Sequence, residues 1–505
     1  MHIGFINPQG NFDYNDSHWT EHPDFGGQLV YVKQLALAIA AQGHKVDILT
    51  RQIIDTEWPA FAEKFDSYAD QPNIRIIRLP AGPEEFLRKE LLWPYLVQDW
   101  VPNIINFYRE EEQFPDAMTA HFADGGLSAV LIRAQTGIPF TFTAHSLGAL
   151  KMDRLHVNPD NIAEMNEYFH FGCRLVAERL SMNHSGVNIT STLTQERFYQ
   201  YAHPAYHGAV DVNNGKRFAT ISPGVNPDVF GPDICLENEE IIYQQIQSRL
   251  ERDIVSDRTT LPAIIASSRL EPKKNHIGLV QAYASSSTLQ EKANLVIFTK
   301  GEDDPLRNKA NDEISETQVL EPIRRIIDDC NLWGKVSAFS IPSQSALAAA
   351  YRFFVQYRSV FALVSLHEPF GLAPLEAAVS GLPVVATQDG GPKESLQEGD
   401  EQFCIFIDPT SPKDIARGLE VLISQTNIWE DLQKCCRAHI LKFYTWNQTA
   451  QEYLKTLEKI VAIPTQNTNS LLPIHPYFLR DTKHQDISLS DLNHLYFRCN
   501  PQEIT

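Results

Sequence analysis

Two hydrophobic patterns alternate along the chain. Short apolar runs recur at 2–7, 45–50, 74–79, 117–122, 139–145, 186–190 and 218–222, and each reads as a strand. Between most of them lie stretches with helical period. In residues 28–42, Leu29, Val32, Leu35, Ala36 and Ile39 share one face, and Gly43 supplies a C-terminal stop. The second half repeats the style, with strand-like runs at 262–267, 294–299, 335–340, 359–365, 383–388 and 403–407. Strands alternating with helices predict parallel sheets with crossover connections. The segment 250–262 is charged, ends in proline and has no long apolar stripe, which puts a domain boundary near residue 255. The predicted organisation is therefore α/β. An N-terminal Rossmann-like domain spans 1–255, a C-terminal domain 256–445, and a crossover helix and tail 446–505. The helix from about 446 is expected to pack back on the first domain, and the polar tail from about 464 to be peripheral. Two doubly wound domains facing each other would place a deep cleft at the carboxyl ends of their strands.

Composition narrows the function. Of 505 residues, 43 are Lys or Arg and 63 are Asp or Glu, a formal net charge of −20. That argues against a nucleic-acid binder, which needs a basic face, and against docking on anionic membrane. An anionic substrate would need local clusters of positive charge. Seven cysteines without a C-x-x-C pair or metal spacing fit a reducing cytoplasm. The N-terminus lacks the basic start of a signal peptide, and no run is long enough to span a membrane.

The candidate chemistry sits where strands are predicted to end. Gly26 and Gly27, before Gln28, lie at a helix entrance, where a backbone without side chains admits phosphate; a plain tight turn would also explain them. Neither G-x-G-x-x-G nor a P-loop occurs. Arg269, Lys273 and Lys274 directly follow the first strand of the second half and precede a helix, a placement that suits a diphosphate better than a solvated surface loop. Glu368 closes a strand, and Glu376 lies in the first turn of the next helix. Between them Phe370, Gly371 and Leu372 offer a turn whose amides can meet phosphate. Ionised carboxylates so placed are acceptors for sugar hydroxyls. In the first half His121, Asp124 and His145 also fall at strand ends, without a third ligand at metal spacing. Lys89, Lys151, Arg174 and Arg179 matter if they converge on one anion.

Taken together, PDFGGQLVYV, SRLEPKKN and HEPFGLAPLE resemble the retaining GT-B glycosyltransferases of family 4, whose E-x7-E pattern is matched by Glu368 and Glu376. NPQGNFD, KELLWPY, HFADGGLSAV, FTFTAHSLGALKM and AERLSM look like the bacterial sucrose-phosphate synthases within that family. The likeness runs from about residue 3 to about 455. It implies transfer of glucose from UDP-glucose to fructose 6-phosphate, giving sucrose 6-phosphate and UDP. It implies Arg269 and Lys274 on the diphosphate, Glu376 on the ribose hydroxyls, and Glu368 on the donor sugar. Gly371 and Leu372, with Phe370, would complete the donor site, which Gly26 and Gly27 close over. His145 would stand near the donor glucose. Gln28 and Gly27 would contact the acceptor, whose pocket would hold His121 and Asp124 and whose phosphate would meet Lys89, Lys151 and Arg174, with Arg179 less firmly matched. The pattern has a basic residue where Cys173 stands, which leaves one cation fewer. No metal and no cofactor is implied for the chemistry. A sucrose-phosphate phosphatase is the expected downstream partner, because the residues after 455 are too few for such a module. Sucrose synthase, mannosylfructose-phosphate synthase and a non-catalytic nucleotide-sugar-binding regulator remain as alternatives.

Overall fold

The computed structural model describes residues 1–9, 12–14, 17, 27–236, 239–299, 301, 303–308, 314–462, 471–480 and 486–497. The chain divides into two compact units, Met1–Ser222 with Thr449–Thr505, and Pro223–Gln448.

The first unit is built on an eight-stranded sheet in the order β3-β4-β2-β1-β5-β6-β7-β8. Its strands are β1 (His2–Ile6), β2 (Lys45–Arg51), β3 (Phe65–Asp66), β4 (Ile74–Leu79), β5 (Ala117–His121), β6 (Phe140–Thr143), β7 (Val187–Thr190) and β8 (Phe218–Thr220). All neighbours run parallel except β3, a two-residue antiparallel edge that the hydrophobic pattern does not signal. From β1 the chain winds outward through β2 and β4, then returns to β5 on β1's other side. That reversal opens a crevice at the carboxyl ends of β1 and β5. The helix Gly27–Ala41 buries Leu29, Val32, Leu35, Ala36 and Ile39, the face predicted, and adds Tyr31 and Ala40. Gly43, at φ +86°, lies just beyond its end.

The second unit carries a six-stranded, wholly parallel sheet in the order β11-β10-β9-β12-β13-β16. These strands are β9 (Ala263–Ser267), β10 (Asn294–Thr299), β11 (Val336–Ser340), β12 (Val360–Leu363), β13 (Val384–Thr387) and β16 (Ile405–Ile407); β14 (Gln397–Glu398) and β15 (Glu401–Gln402) form a small hairpin. Side chains alternate between two cores. Ile265, Val296 and Phe298 join one, and Ile264, Leu295 and Ile297 the other. A sheet buried on both faces explains why these strands read as continuous apolar runs. Here the order reverses between β9 and β12.

Two boundaries differ from expectation. The units part after Ser222, not near 255, because helix Glu239–Asp253 packs in the second unit. Its Glu239 takes a two-pronged ion pair from Arg352 at 2.8 and 2.9 Å, and its Asp253 accepts from Ser337 at 2.7 Å. The last stretch is not peripheral either. Phe478, Ile487, Leu492 and Tyr496 are buried in the first unit's core. Asp153 accepts from Tyr496 at 2.6 Å, and Asn183 accepts from the Leu472 amide at 2.7 Å. Among the described residues no helix is long and apolar enough to cross a membrane.

Candidate functional site

In the second unit the conspicuous chemistry gathers at the β9/β12 reversal. Residues 268–275 leave β9 and lead into helix His276–Ser285. Asn275, in the left-handed region at φ +58°, ties this loop down by donating to the carbonyls of Val364 at 3.1 Å and Pro409 at 2.7 Å. The Leu366 amide donates to the Lys273 carbonyl at 2.9 Å, so the two loops are laced together. Lys274 reaches across the junction and pairs with Glu368 at 2.7 Å; both side chains are largely buried. Ser365 donates to the same carboxylate oxygen at 3.1 Å. Arg269 is different: its guanidinium is 65% exposed and rests 3.0 Å from Glu271, which also pairs with Lys273 at 2.7 Å.

Glu368 does not close a strand. It lies in the loop beyond β12, where its backbone bridges to Gly390. Gly390 has φ +114°, and a Cβ there would stand 2.0 Å from the Glu368 carbonyl oxygen, so only glycine permits this approach. Gly371, at φ +89°, precedes helix Leu372–Ser380. Glu376 is the fifth residue of that helix and so beyond its first turn, which leaves simple attraction to the positive helix end a weak account of it. Burial pushes its carboxyl up to about 7, although Gln344 donates to it at 3.3 Å. Phe370 is a core residue, packed on Tyr444 and 8% exposed, so its side chain is not part of the site surface.

In the first unit a shallow concavity, open to solvent, is lined by Lys89, Glu90, Trp93, Phe122, Asp124, Phe169 and Arg174. Three predicted residues, Lys89, Asp124 and Arg174, therefore converge. Lys151 stands at the rim, 4.1 Å from the centre of the Phe169 ring and 3.7 Å from a Glu90 oxygen. Lys89 and Arg174 both lie over the Phe122 ring, at 5.2 and 4.6 Å. Phe122 itself has φ +65°, a strained conformation for a residue with a side chain, and it opens the helix after β5. Arg174 is buried and fixed by Glu178 at 2.9 Å and by the Ser146 carbonyl at 3.0 Å. Glu178 also accepts from the Gly148 amide at 2.9 and 3.0 Å and from Tyr206. Desolvation raises the pKa of Glu178, against the pull of Arg174. Asp124 is pushed up to about 7 by burial, opposed by the Gly125 amide and by Lys89 and Arg174.

Beside this concavity His121 and His145 are hydrogen-bonded ring to ring, Nδ1 to Nε2, at 2.9 Å; the second nitrogen of His121 meets Thr119 at 3.3 Å. Tyr31 packs edge-on against His145, with ring centres 5.0 Å apart. Desolvation drives His145 down to about 3 and His121 well below its ordinary value, so both rings are neutral near pH 7. His145 holds φ +56°, matching Phe122 one strand away. Gln28 donates to Asn7 at 2.5 Å, beside the end of β1. Gly27 opens its helix, and no described atom lies within 4 Å of where its Cβ would stand. Gly26 lies outside the described residues. Arg179 does not join the concavity; it donates to the carbonyls of Ala205 at 2.6 Å and His207 at 2.9 Å, a structural role. Glu90, Trp93, Phe122 and Phe169 are lining residues that sequence reasoning missed. Glu90 and Trp93 stand in the KELLWPY stretch beside Lys89, which was the available signal.

Comparison with known proteins follows the same division. The family described as "Sucrose synthase first GT-B domain" matches residues 2–239, and "Glycosyl transferases group 1" matches 248–438. A probable sucrose-phosphate synthase of Thermosipho melanesiensis is 38% identical over 91% of this chain and 97% of its own length. The sucrose-phosphate synthase of Spinacia oleracea is 30% identical over 86% of this chain, which spans only 45% of that longer relative. Among solved structures, the sucrose-phosphate synthase from Thermosynechococcus elongatus superposes with a TM-score of 0.65 at 22% identity, covering 91% of this chain and 99% of that one. The Anabaena protein HepE, in complex with UDP and glucose, gives 0.59 at 15% identity over 91% and 100%. These likenesses establish the fold of both units as that of GT-B glycosyltransferases.

Proposed function

We propose that this chain, which belongs to the sucrose-phosphate synthase family of glycosyltransferases, moves glucose from UDP-glucose to fructose 6-phosphate and releases sucrose 6-phosphate and UDP. The observation that carries the reading is the convergence of Lys89, Arg174 and Asp124 on one concavity in the first unit, with Lys151 at its rim. Two to three cations suit a phosphate dianion, and the neighbouring carboxyls suit sugar hydroxyls.

On the donor side Arg269 and Lys274 stabilise charge as it develops on the leaving diphosphate, the interaction a preorganised site makes strongest. Exposed Arg269 swings to the ligand at little cost, whereas Lys274 must exchange Glu368 for phosphate. Glu376, in its ionised form, accepts from the ribose hydroxyls. Glu368, once released by Lys274, accepts from the glucose hydroxyls. Neutral His145 offers a ring N–H to the donor sugar rather than a proton for general-acid catalysis. Retention of the α configuration usually calls for a carboxylate nucleophile behind the anomeric carbon. We instead assign a same-face displacement, in which the departing diphosphate takes the proton of the acceptor hydroxyl as the new C–O bond forms. The cations do the electrostatic work, so the chemistry runs without a divalent ion, and kcat is expected to survive EDTA. The free thiols of Cys173, Cys404 and Cys436 suit a reducing cytoplasm.

The deciding experiment is incubation of the purified chain with UDP-glucose, ADP-glucose or GDP-mannose, each with fructose 6-phosphate or fructose. The product is identified by mass spectrometry before and after phosphatase treatment. A phosphorylated hexose disaccharide from UDP-glucose and fructose 6-phosphate is the expected result. Equal turnover of bare fructose would overturn the phosphate-binding role, and turnover of GDP-mannose alone would point to mannosylfructose phosphate.

A further inference from the structure

The residue that broke the basic pattern, Cys173, has company of its own. Its buried sulfur lies 3.6 Å from a carboxylate oxygen of Asp486, which comes from the far end of the chain. The His170 ring stands at the same spot. One ligand atom from each of His170, Cys173 and Asp486 lies within 4.8 Å of the other two, and among the described residues this is the one such grouping. His170 is held there by its backbone. It has φ +48°, ends helix Ile162–Phe169, and begins helix Phe171–His184, so its position is set by the turn between two helices. No described residue hydrogen-bonds its imidazole, which leaves the ring nitrogens available for a ligand. Asp486 is oriented by accepting from the Ile487 amide at 2.7 Å, and Ile487 is buried next to Gly172.

We propose that His170, Cys173 and Asp486 bind a borderline-soft divalent cation of the zinc class. The donor set, one imidazole, one thiolate and one carboxylate, is the set zinc takes, and the thiolate disfavours magnesium and calcium. The spacing agrees. A tetrahedral ion with ordinary zinc–sulfur and zinc–oxygen bonds holds its sulfur and oxygen about 3.5 Å apart, close to the 3.6 Å found here. Asp486 is exposed, so a water completes the tetrahedron from solvent. The Cys173 thiol gives up its proton to solvent on binding. Such an ion would clip residue 486 to the start of the helix that carries Arg174. It would take no part in bond making, which keeps it separate from the metal-independent transfer proposed above.

The test is titration of the full chain with Co²⁺, then with Zn²⁺ in competition. The expected result is one equivalent bound, with a thiolate-to-cobalt charge-transfer band and the intense visible bands of tetrahedral cobalt, both erased by Zn²⁺. Cys173→Ser should abolish the charge-transfer band. Asp486→Asn, a solvent-exposed change that leaves the fold intact by circular dichroism, should weaken binding at least about tenfold, the lower bound seen when even an outer partner of a metal ligand is removed. Absence of a band in the unaltered chain overturns the proposal. A band that persists in Cys173→Ser overturns it as well, by placing the metal on another thiol. Neither measurement uses substrate, so failure here is separate from failure of the glycosyl-transfer reading.

Discussion

The ammonium of Lys274 and the carboxylate of Glu368, ninety-four residues apart in sequence, meet at 2.7 Å across the reversal between β9 and β12. The two charges neutralise each other here, and on the proposed reading substrate must separate them. Lys274→Ala is expected to lower kcat/KM by about 10²–10³, the scale of losing one preorganised donor to developing charge. Glu368→Gln should behave differently. It removes the internal competitor for Lys274, so UDP should bind at least as tightly by calorimetry while kcat falls. Loss of UDP affinity in Glu368→Gln would contradict this exchange of partners.

On the proposed assignment, Glu376 is expected to set the pH dependence of donor binding. Burial raises its carboxyl from an ordinary 4.5 to about 7. A raised carboxyl favours the protonated native state, so its contribution to stability is complete below about pH 4.5 and is lost as pH climbs through 7. Binding runs the other way, because only the ionised form accepts hydrogen bonds with both oxygens. UDP affinity is therefore expected to strengthen from about pH 6 to about pH 8. Glu376→Gln should flatten that profile, as measured by isothermal titration across the range.

The cations of the first unit are not equivalent probes. Lys151→Ala removes a half-exposed charge and should raise the KM for fructose 6-phosphate sharply while moving the KM for UDP-glucose little. Arg174 is 5% exposed and its partner Glu178 is fully buried. Arg174→Met leaves that carboxylate unpaired and should cost about 3–5 kcal/mol of stability, read as a lower denaturation midpoint. A kinetic defect in that variant would report the fold as much as the acceptor.

Gly390→Ala tests the donor loop by sterics alone. The new methyl would stand 2.0 Å from the Glu368 carbonyl oxygen, at a φ of +114° that side chains rarely adopt. The loop must move, and Glu368 with it. Donor binding should be lost while the first unit's response to fructose 6-phosphate remains, as a thermal-shift series with each ligand would show.

Much of this was legible in the sequence. The central strands of both sheets appear as apolar runs because they are buried on both faces, whereas the exposed edge β3 leaves no such run, and the loop 268–275 announces itself by three cations at a strand end. Three features were not legible. Helix Glu239–Asp253 belongs to the second unit through Arg352 and Ser337, partners about a hundred residues away that no local pattern encodes. The ring-to-ring bond of His121 and His145 joins two strand ends that only the sheet order makes adjacent. The closing stretch looks polar because its core residues, Phe478, Ile487 and Leu492, are few and irregularly spaced. Leu492→Ala should cost about 2–5 kcal/mol, visible as a shift in urea midpoint at unchanged slope. A surface-like cost would mean that this stretch is not part of the core.

The first unit is assembled from Met1–Ser222 and Thr449–Thr505, with the whole second unit threaded between. This sets an order of events during synthesis. The sheet β1–β8 leaves the ribosome early, yet the side chains that seal its core are translated only after all of residues 223–448. At about 5–20 residues per second that is a wait of some ten to fifty seconds. The second unit, continuous in sequence, is free to finish first. Throughout that interval the nascent first unit exposes the apolar surface meant for Phe478, Ile487 and Leu492, the kind of surface that promotes aggregation in incompletely folded chains.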